Sequence, residues 1–280
     1  MLRTRILTAL VLIPSTLMAL FWLNPRGWGV VTLVVIVIAA LEWANLAGCN
    51  RLGSLIFVGG TFLTGLVLLF APGGFQAETG WPEYVPLIAC GAATLFWLLA
   101  APVLLASGRG LGSSLALALT GALVLLATWV AVVQLQARSP WLLLALMAVV
   151  WIADTAAYFT GRAFGRRKLA PSISPGKTWE GVFGALIATG FYALALLRFA
   201  PESAYGQMPS LADSAGWVAL ILALTALSIV GDLFESLLKR HRGVKDSGKL
   251  LPGHGGVLDR IDALLAAMPA AALIAQYAIR

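Results

Sequence analysis

Ser236-Leu-Leu-Lys-Arg-His-Arg-Gly-Val-Lys-Asp-Ser-Gly-Lys-Leu-Leu-Pro-Gly-His-Gly-Gly-Val-Leu-Asp-Arg-Ile-Asp262 lies between two apolar runs. It sets Lys239, Arg240, Arg242, Lys245, Lys249 and Arg260 beside Asp246, Asp259 and Asp262, around a Pro252–Gly256 turn. Charge this dense is expensive beside a bilayer and is seldom kept without a purpose. The two signs also point to a chemistry: cations hold phosphates, and carboxylates hold a divalent metal that bridges them. The apolar runs on either side, like the others in the chain, are about 17 to 25 residues long. That length suits helices crossing the hydrocarbon and is too long for membrane β-strands.

The composition agrees. Of 280 residues, 60% are hydrophobic and 11% charged, less than half the roughly 25% charged share of a soluble domain. The expected fold class is all-α: a polytopic integral membrane protein of about nine transmembrane helices. Two cysteines, Cys49 and Cys90, stand far apart in apolar surroundings, which excludes a disulfide framework and any cysteine metal site. The net charge of +7 reads as basic loops at an anionic membrane face, with no nucleic-acid partner, because the basic residues flank apolar helices.

Nine apolar segments follow, at about 6–23, 28–47, 55–71, 84–106, 113–137, 141–160, 179–199, 216–238 and 262–279. The first resembles a signal peptide, but its run exceeds an h-region and it lacks a small-x-small cleavage site, so it is read as a helix. With the N-terminus in the cytoplasm, fifteen of the 19 Lys and Arg fall on cytoplasmic loops and Arg26, Arg138, Arg198 and Arg280 remain outside. The bias predicts N-terminus in and C-terminus out. The outside loops 72–83, with Glu78 and Glu83, and 200–215, with Glu202 and Asp213, read as plain solvated connections.

Charge gathers in two windows, 154–180 and 232–262, which hold eleven of the 19 basic and seven of the 12 acidic residues. Residues 1–140 are expected to be scaffold and subunit contact, with Glu42 an isolated charge in the second segment, and residues 141–280 the catalytic region. Asp154, with Tyr158 at i+4, falls within or at the end of the sixth segment; an ionisable group that deep is a functional candidate. Gly161 and Gly165 are spaced for a helix contact, or mark a helix end. Gly176-Lys177-Thr178 is no P-loop, since Pro171 stands where the motif needs Gly. A helix starting after Pro175 would instead aim its N–H groups at an anion beside Lys177. Asp232, Glu235, Ser236 and Lys239 fall at i, i+3, i+4 and i+7, one face of one helix. Asp259 and Asp262 open the last segment, where the helix dipole favours carboxylates; with Asp232 they read as a metal cage. His254, in its glycine turn, reads as a structural hydrogen-bonding residue.

Ser236-x-Leu-Lys-Arg, four residues, Lys245-Asp246, then Leu251-Pro-Gly-His-Gly-Gly, Asp259-Arg260 and Asp262 resembles the signature of phosphatidate cytidylyltransferases, the CDP-diacylglycerol synthases. Ser172-Ile-Ser-Pro-Gly-Lys-Thr-Trp-Glu-Gly181 is similar to that family's upstream block. The likeness is specific over about 150–262 and only a hydrophobic pattern before that. It implies transfer of the cytidylyl group of CTP to phosphatidate, giving CDP-diacylglycerol and pyrophosphate. It implies Asp232, Lys239, Asp259 and Asp262 as catalytic residues. Asp232, Asp259 and Asp262 would hold Mg²⁺, with room for a second cation. Asp154, Ser174, Lys177, Thr178, Glu180, Glu235, Ser236, Arg240, Lys245, Asp246, His254 and Arg260 are the implied substrate-binding set. CTP, phosphatidate and membrane lipids are the expected partners, a homodimer the expected assembly, and the bacterial inner membrane, with the active site facing the cytoplasm, the expected location. Two alternatives stay open: a related nucleotide-dependent transferase acting on a polyprenyl lipid, and a transporter. The one-sided clustering of charge argues against the transporter.

Overall fold

A computed structural model describes residues 2–76, 79–108, 112–199 and 211–278. Glu78, Arg109, Glu202, Gln207 and Arg280 lie outside them, as does most of the 200–215 loop. The helical segments follow the expected order. They are α1 (Leu2–Trp22), α2 (Pro25–Ala47), α3 (Arg51–Phe70), α4 (Tyr84–Leu95) continued through a π-turn at Phe96–Ala100 into α5 (Ala101–Ser107), α6 (Ser114–Arg138), α7 (Pro140–Phe164), α8 (Trp179–Phe199), α9 (Leu211–His241) and α10 (Leu258–Ala278). Among the described residues seven helices are long and apolar enough to cross a membrane. The apolar part of α1, Thr8–Trp22, is shorter, and α10 opens on Asp259, Arg260 and Asp262.

Side-chain caps set several starts. Asn24 Oδ1 accepts from Gly27 N at 2.7 Å, with Pro25 as the first helical residue. Asn50 Oδ1 accepts from Gly53 N at 2.7 Å and begins α3 four residues before its apolar run. Both follow the preference of N-caps for a short polar acceptor. The π-turn precedes Pro102, which has no N–H for the carbonyl four residues back. It packs Phe96 and Trp97 edge-on against Phe234 of α9, with ring centroids 5.5 and 5.4 Å apart. Trp43 of α2 stacks on the same Phe234. The face of α9 that precedes Glu235 is thereby wedged by aromatic rings from the first half of the chain.

The centre of the bundle is α10. Ala263 to Met268 and Ala270 to Ala272 are all buried, as expected of a helix apolar on every side. It packs against α4, α6, α7, α9 and α2. Residues on both sides of position 140 share one core cluster, so the two halves fold around a common centre.

One local expectation is corrected. The chain does not turn helical after Pro175: Ser174–Thr178 forms a strand, β2, paired antiparallel with β1 (Lys168–Ala170) in a two-stranded hairpin. Pro175 and Gly176 are poor helix formers, and pairing with β1 gives the backbone partners that a first helical turn lacks. Helix α8 starts at Trp179, with Thr178 Oγ1 accepting from Gly181 N at 3.2 Å. Of the two places expected for Asp154 the structure has the first: it lies within α7, which runs on to Phe164. Both readings of the Gly pair hold in part. Gly165 ends α7, while a Cβ on Gly161 would lie 3.7 Å from Gly181 Cα, the close approach of α7 to α8.

Candidate active site

The charged stripe on α9 faces inward. Glu235 is buried with a side-chain exposure of 2%, and Lys239, one turn on, is 12% exposed. The Lys239 ammonium sits between two carboxylates: it is ion-paired with Glu235 and lies 2.6 Å from Asp259 Oδ1. The contact with the Lys239 ammonium is what offsets the desolvation of the Glu235 charge. Ser236 Oγ lies 3.4 Å from Asp232 Oδ1 at the outer end of the stripe.

Asp259 is tied on both sides. While Oδ1 takes Lys239, Oδ2 accepts from Ser247 N at 2.9 Å, Ser247 Oγ at 3.0 Å and Gly256 N at 2.8 Å. The stretch 243–257 is drawn around this carboxylate with Leu251 and Gly255 bridged, and Gly253 and Gly255 have φ of 77° and 83°. Glycine reaches that left-handed region without steric cost. Asp262, three residues later on α10, lies within electrostatic reach of Asp232 and Glu235.

The hairpin brings the upstream block to the same place. Lys177, on β2, lies 2.6 Å from Asp232 Oδ2. Asp154 on α7 lies within electrostatic reach of Asp232, Lys177 and Arg260. Arg240 Nε donates to Ile173 O at 3.1 Å, fastening the end of α9 to the hairpin turn. Glu180, in the first turn of α8, accepts from the backbone N–H of Arg166 and Arg167 at 3.1 and 3.2 Å, which fixes the hairpin's entry.

Beside Asp259 opens a cavity of about 790 Å³ lined by Lys245, Asp246, Lys249, His254, Arg260 and the backbone of 251–255. Its size lies in the range of small-molecule sites. Among the described residues none of its three cations is ion-paired. His254 Nδ1 is buried there without a partner.

The cytidylyltransferase family matches residues 3–278. The chain belongs to that family. It is 38% identical over 284 residues to a phosphatidate cytidylyltransferase of Haemophilus influenzae, covering 96% of each chain. It is likewise 38% identical over 286 residues to a phosphatidate cytidylyltransferase of Pseudomonas aeruginosa, covering 96% of this chain and 95% of the other. A phosphatidate cytidylyltransferase of Bacillus subtilis is 44% identical over 124 residues, 43% of this chain.

In this member of the cytidylyltransferase family the expected site residues divide into three groups. In the first, Lys177 with Asp232, and Lys239 with Glu235 and Asp259, form two ion-paired sets, Ser236 is hydrogen-bonded to Asp232, and Asp154 and Asp262 lie within electrostatic reach of them. Lys245, Asp246, His254 and Arg260 line the cavity next to them. Ser174, Thr178, Glu180 and Arg240 build the hairpin that carries Lys177. Lys249, counted among the charges but given no role, lines the cavity too. Glu42 was missed: its carboxylate, from α2, enters the signature loop. Its position as a lone buried charge in an apolar helix was the available signal.

The expected Mg²⁺ can be tested against these donors. Their chemistry fits, since hard carboxylate oxygens are what Mg²⁺ takes. Among the described residues, however, no three Asp, Glu, His or Cys side chains are arranged around one point. Lysine ammoniums occupy the places between carboxylates, Lys177 on Asp232 and Lys239 on Asp259.

Proposed function

We infer that this chain transfers the cytidylyl group of CTP to phosphatidate. A phosphatidate oxygen forms a bond to the α-phosphorus of CTP, the bond from that phosphorus to the bridging oxygen breaks, and pyrophosphate leaves with the electron pair. The lipid phosphate is already an anionic nucleophile, so no activated Ser or Cys is needed. What the protein must supply is position and charge. The observation that carries this reading is the junction of a cation-lined cavity with a buried carboxylate–lysine cluster at Asp259.

Each group has a task. Lys245, Lys249 and Arg260 hold the triphosphate, being cations with no ion-paired carboxylate among the described residues. His254, in the cavity wall, is placed to contact the nucleotide. Lys177 and Lys239 face the transferring phosphate from the cluster, where a phosphate oxygen competes with Asp232 and Asp259 for their ammoniums. Asp259, held by Ser247 and Gly256, fixes where Lys239 stands. Mg²⁺, when bound, would neutralise phosphate oxygens, and Asp232, Asp259 and Asp262 are the residues that would hold it.

The location is part of the same reading: an inner membrane with the site facing the cytoplasm. Its support is the bacterial origin of the relatives and the charge bias of the loops. A homodimer is included, to be read from the mass of the protein in detergent. The test is incubation of purified protein with labelled CTP and a panel of lipid phosphates. Label passing into lipid with phosphatidate, with pyrophosphate released in equal amount, is the expected result. Labelling of a polyprenyl phosphate in its place would establish the related transferase, and no lipid labelling would overturn both.

A further inference from the structure

Glu42 is a carboxylate in an apolar membrane helix, a placement that costs free energy unless fully compensated. It lies five residues from the end of α2 and is 7% exposed. No cation pairs with it among the described residues. Its compensation comes from the far end of the chain. Oε1 accepts from Val257 N at 3.0 Å, and Oε2 from Leu258 N at 2.8 Å and Ser247 Oγ at 3.0 Å. Val257 and Leu258 are the residues at which α10 begins, so Glu42 takes the orphan donors of that helix start in the way an N-cap does, from another helix.

Two glycines of the signature make room for it. A Cβ on Gly248 would run into the Glu42 carboxylate, and one on Gly256 into both Ser247 Oγ and Glu42. The Ser247 hydroxyl meanwhile stands 3.0 Å from Glu42 Oε2 and 3.0 Å from Asp259 Oδ2. One hydroxyl therefore stands between the carboxylate of α2 and the carboxylate that holds Lys239, with a single proton that it can donate to either.

We propose that Glu42 is a positioning residue for the transfer reaction: through the first N–H groups of α10 and through Ser247 it sets where Asp259 stands beside Lys239 and the cavity. It does not touch substrate. Its kinetic effect rests on the cytidylyl-transfer reading above, while its effect on the loop does not. Gln is the informative substitution, since it keeps length and volume but turns an N–H₂ toward donors that need an acceptor.

The experiment uses full-length protein in detergent, with Glu42→Gln, Ser247→Ala and the double variant, measuring kcat and KM for CTP and hydrogen exchange of segment 245–260. Glu42→Gln is expected to lower kcat by about 10- to 100-fold, the scale for partners that orient a catalytic ligand, and to raise exchange at Val257 and Leu258. Ser247→Ala should lower kcat in the same range, and the double variant should lose less than the product of the two, because they act through one contact. Unchanged kcat with unchanged exchange in Glu42→Gln would overturn the proposal. So would full multiplicativity, which would make Glu42 a helix cap with no link to Asp259. Should Glu42→Gln fail to fold, Ser247→Ala decides alone: wild-type kcat there removes the link. If the wild-type protein transfers no cytidylyl group at all, the function above fails, and exchange at Val257 and Leu258 still reports on Glu42.

Discussion

Lys177 and Asp232 lie 2.6 Å apart although 55 residues of chain, including the whole of α8, separate them. The pair joins the two charged blocks of the sequence at one point. It is partly open to solvent, with side-chain exposures of 24% and 30%, so its value to stability is small. Its position is what matters.

Substitution of Asp232 by Asn should therefore leave a folded protein with little turnover. A fall in kcat of roughly 10²- to 10³-fold is the scale for losing one electrostatic contact to the transition state. Asp259→Asn should fall at least as far, since it also weakens the hold on Lys239. Near-normal kcat at saturating CTP in either variant removes that residue from the reaction.

Lys239→Ala should cost both stability and rate. It leaves Glu235 and Asp259 buried without their cation, a loss of about 3–5 kcal/mol by the measure of broken buried ion pairs. The double variant Lys239→Ala, Glu235→Gln removes one of the stranded charges. It should regain part of the melting temperature and none of the kcat. Recovery of both together would make Lys239 a structural residue only.

Arg166 and Arg167 are exposed; Glu180 accepts from their backbone N–H groups, and among the described residues neither side chain is ion-paired. Their charge acts at a distance, and such fields fade over about 8 Å at physiological salt. Arg166→Ala should raise the KM for CTP at low salt and little at high salt. Lys245→Ala and Arg260→Ala, which remove cations from the cavity wall, should raise KM at both. Steady-state kinetics at two ionic strengths separates the cases. An equal salt dependence in all three variants would mean that the cavity cations act by net charge alone.

The topology is open to reporter fusions. Junctions after Ser172, in the hairpin turn, and after Ser247, in the signature loop, should report cytoplasm. Junctions near Gln76 and Gln207 should report the opposite side. A signal from the far side at Ser247 would reverse the chain and put the cavity out of reach of cytoplasmic nucleotide.

The amino-acid sequence by itself determined the class of the protein and the order of its helices. Length and apolarity of a run are local properties, and a 30 Å hydrocarbon layer leaves such runs few alternatives to a helix. The stripe of Asp232, Glu235, Ser236 and Lys239 was legible for the same reason, since helical spacing alone puts those residues on one face. Partners across the chain were decided only by the tertiary structure. Asp259 and Asp262 announce the start of the last helix, but the acceptor of the Leu258 N–H is Glu42, brought in by the packing of α2 against α10. The hairpin at Lys168–Thr178 was likewise hidden, its second strand depending on a partner rather than on its own weak propensities. The sequence showed Asp259 as a carboxylate at a helix dipole and a candidate metal ligand, but not its partners: it is shared among Lys239, Ser247 and Gly256, contacts that exist only once α9, α10 and the loop between them have closed on each other.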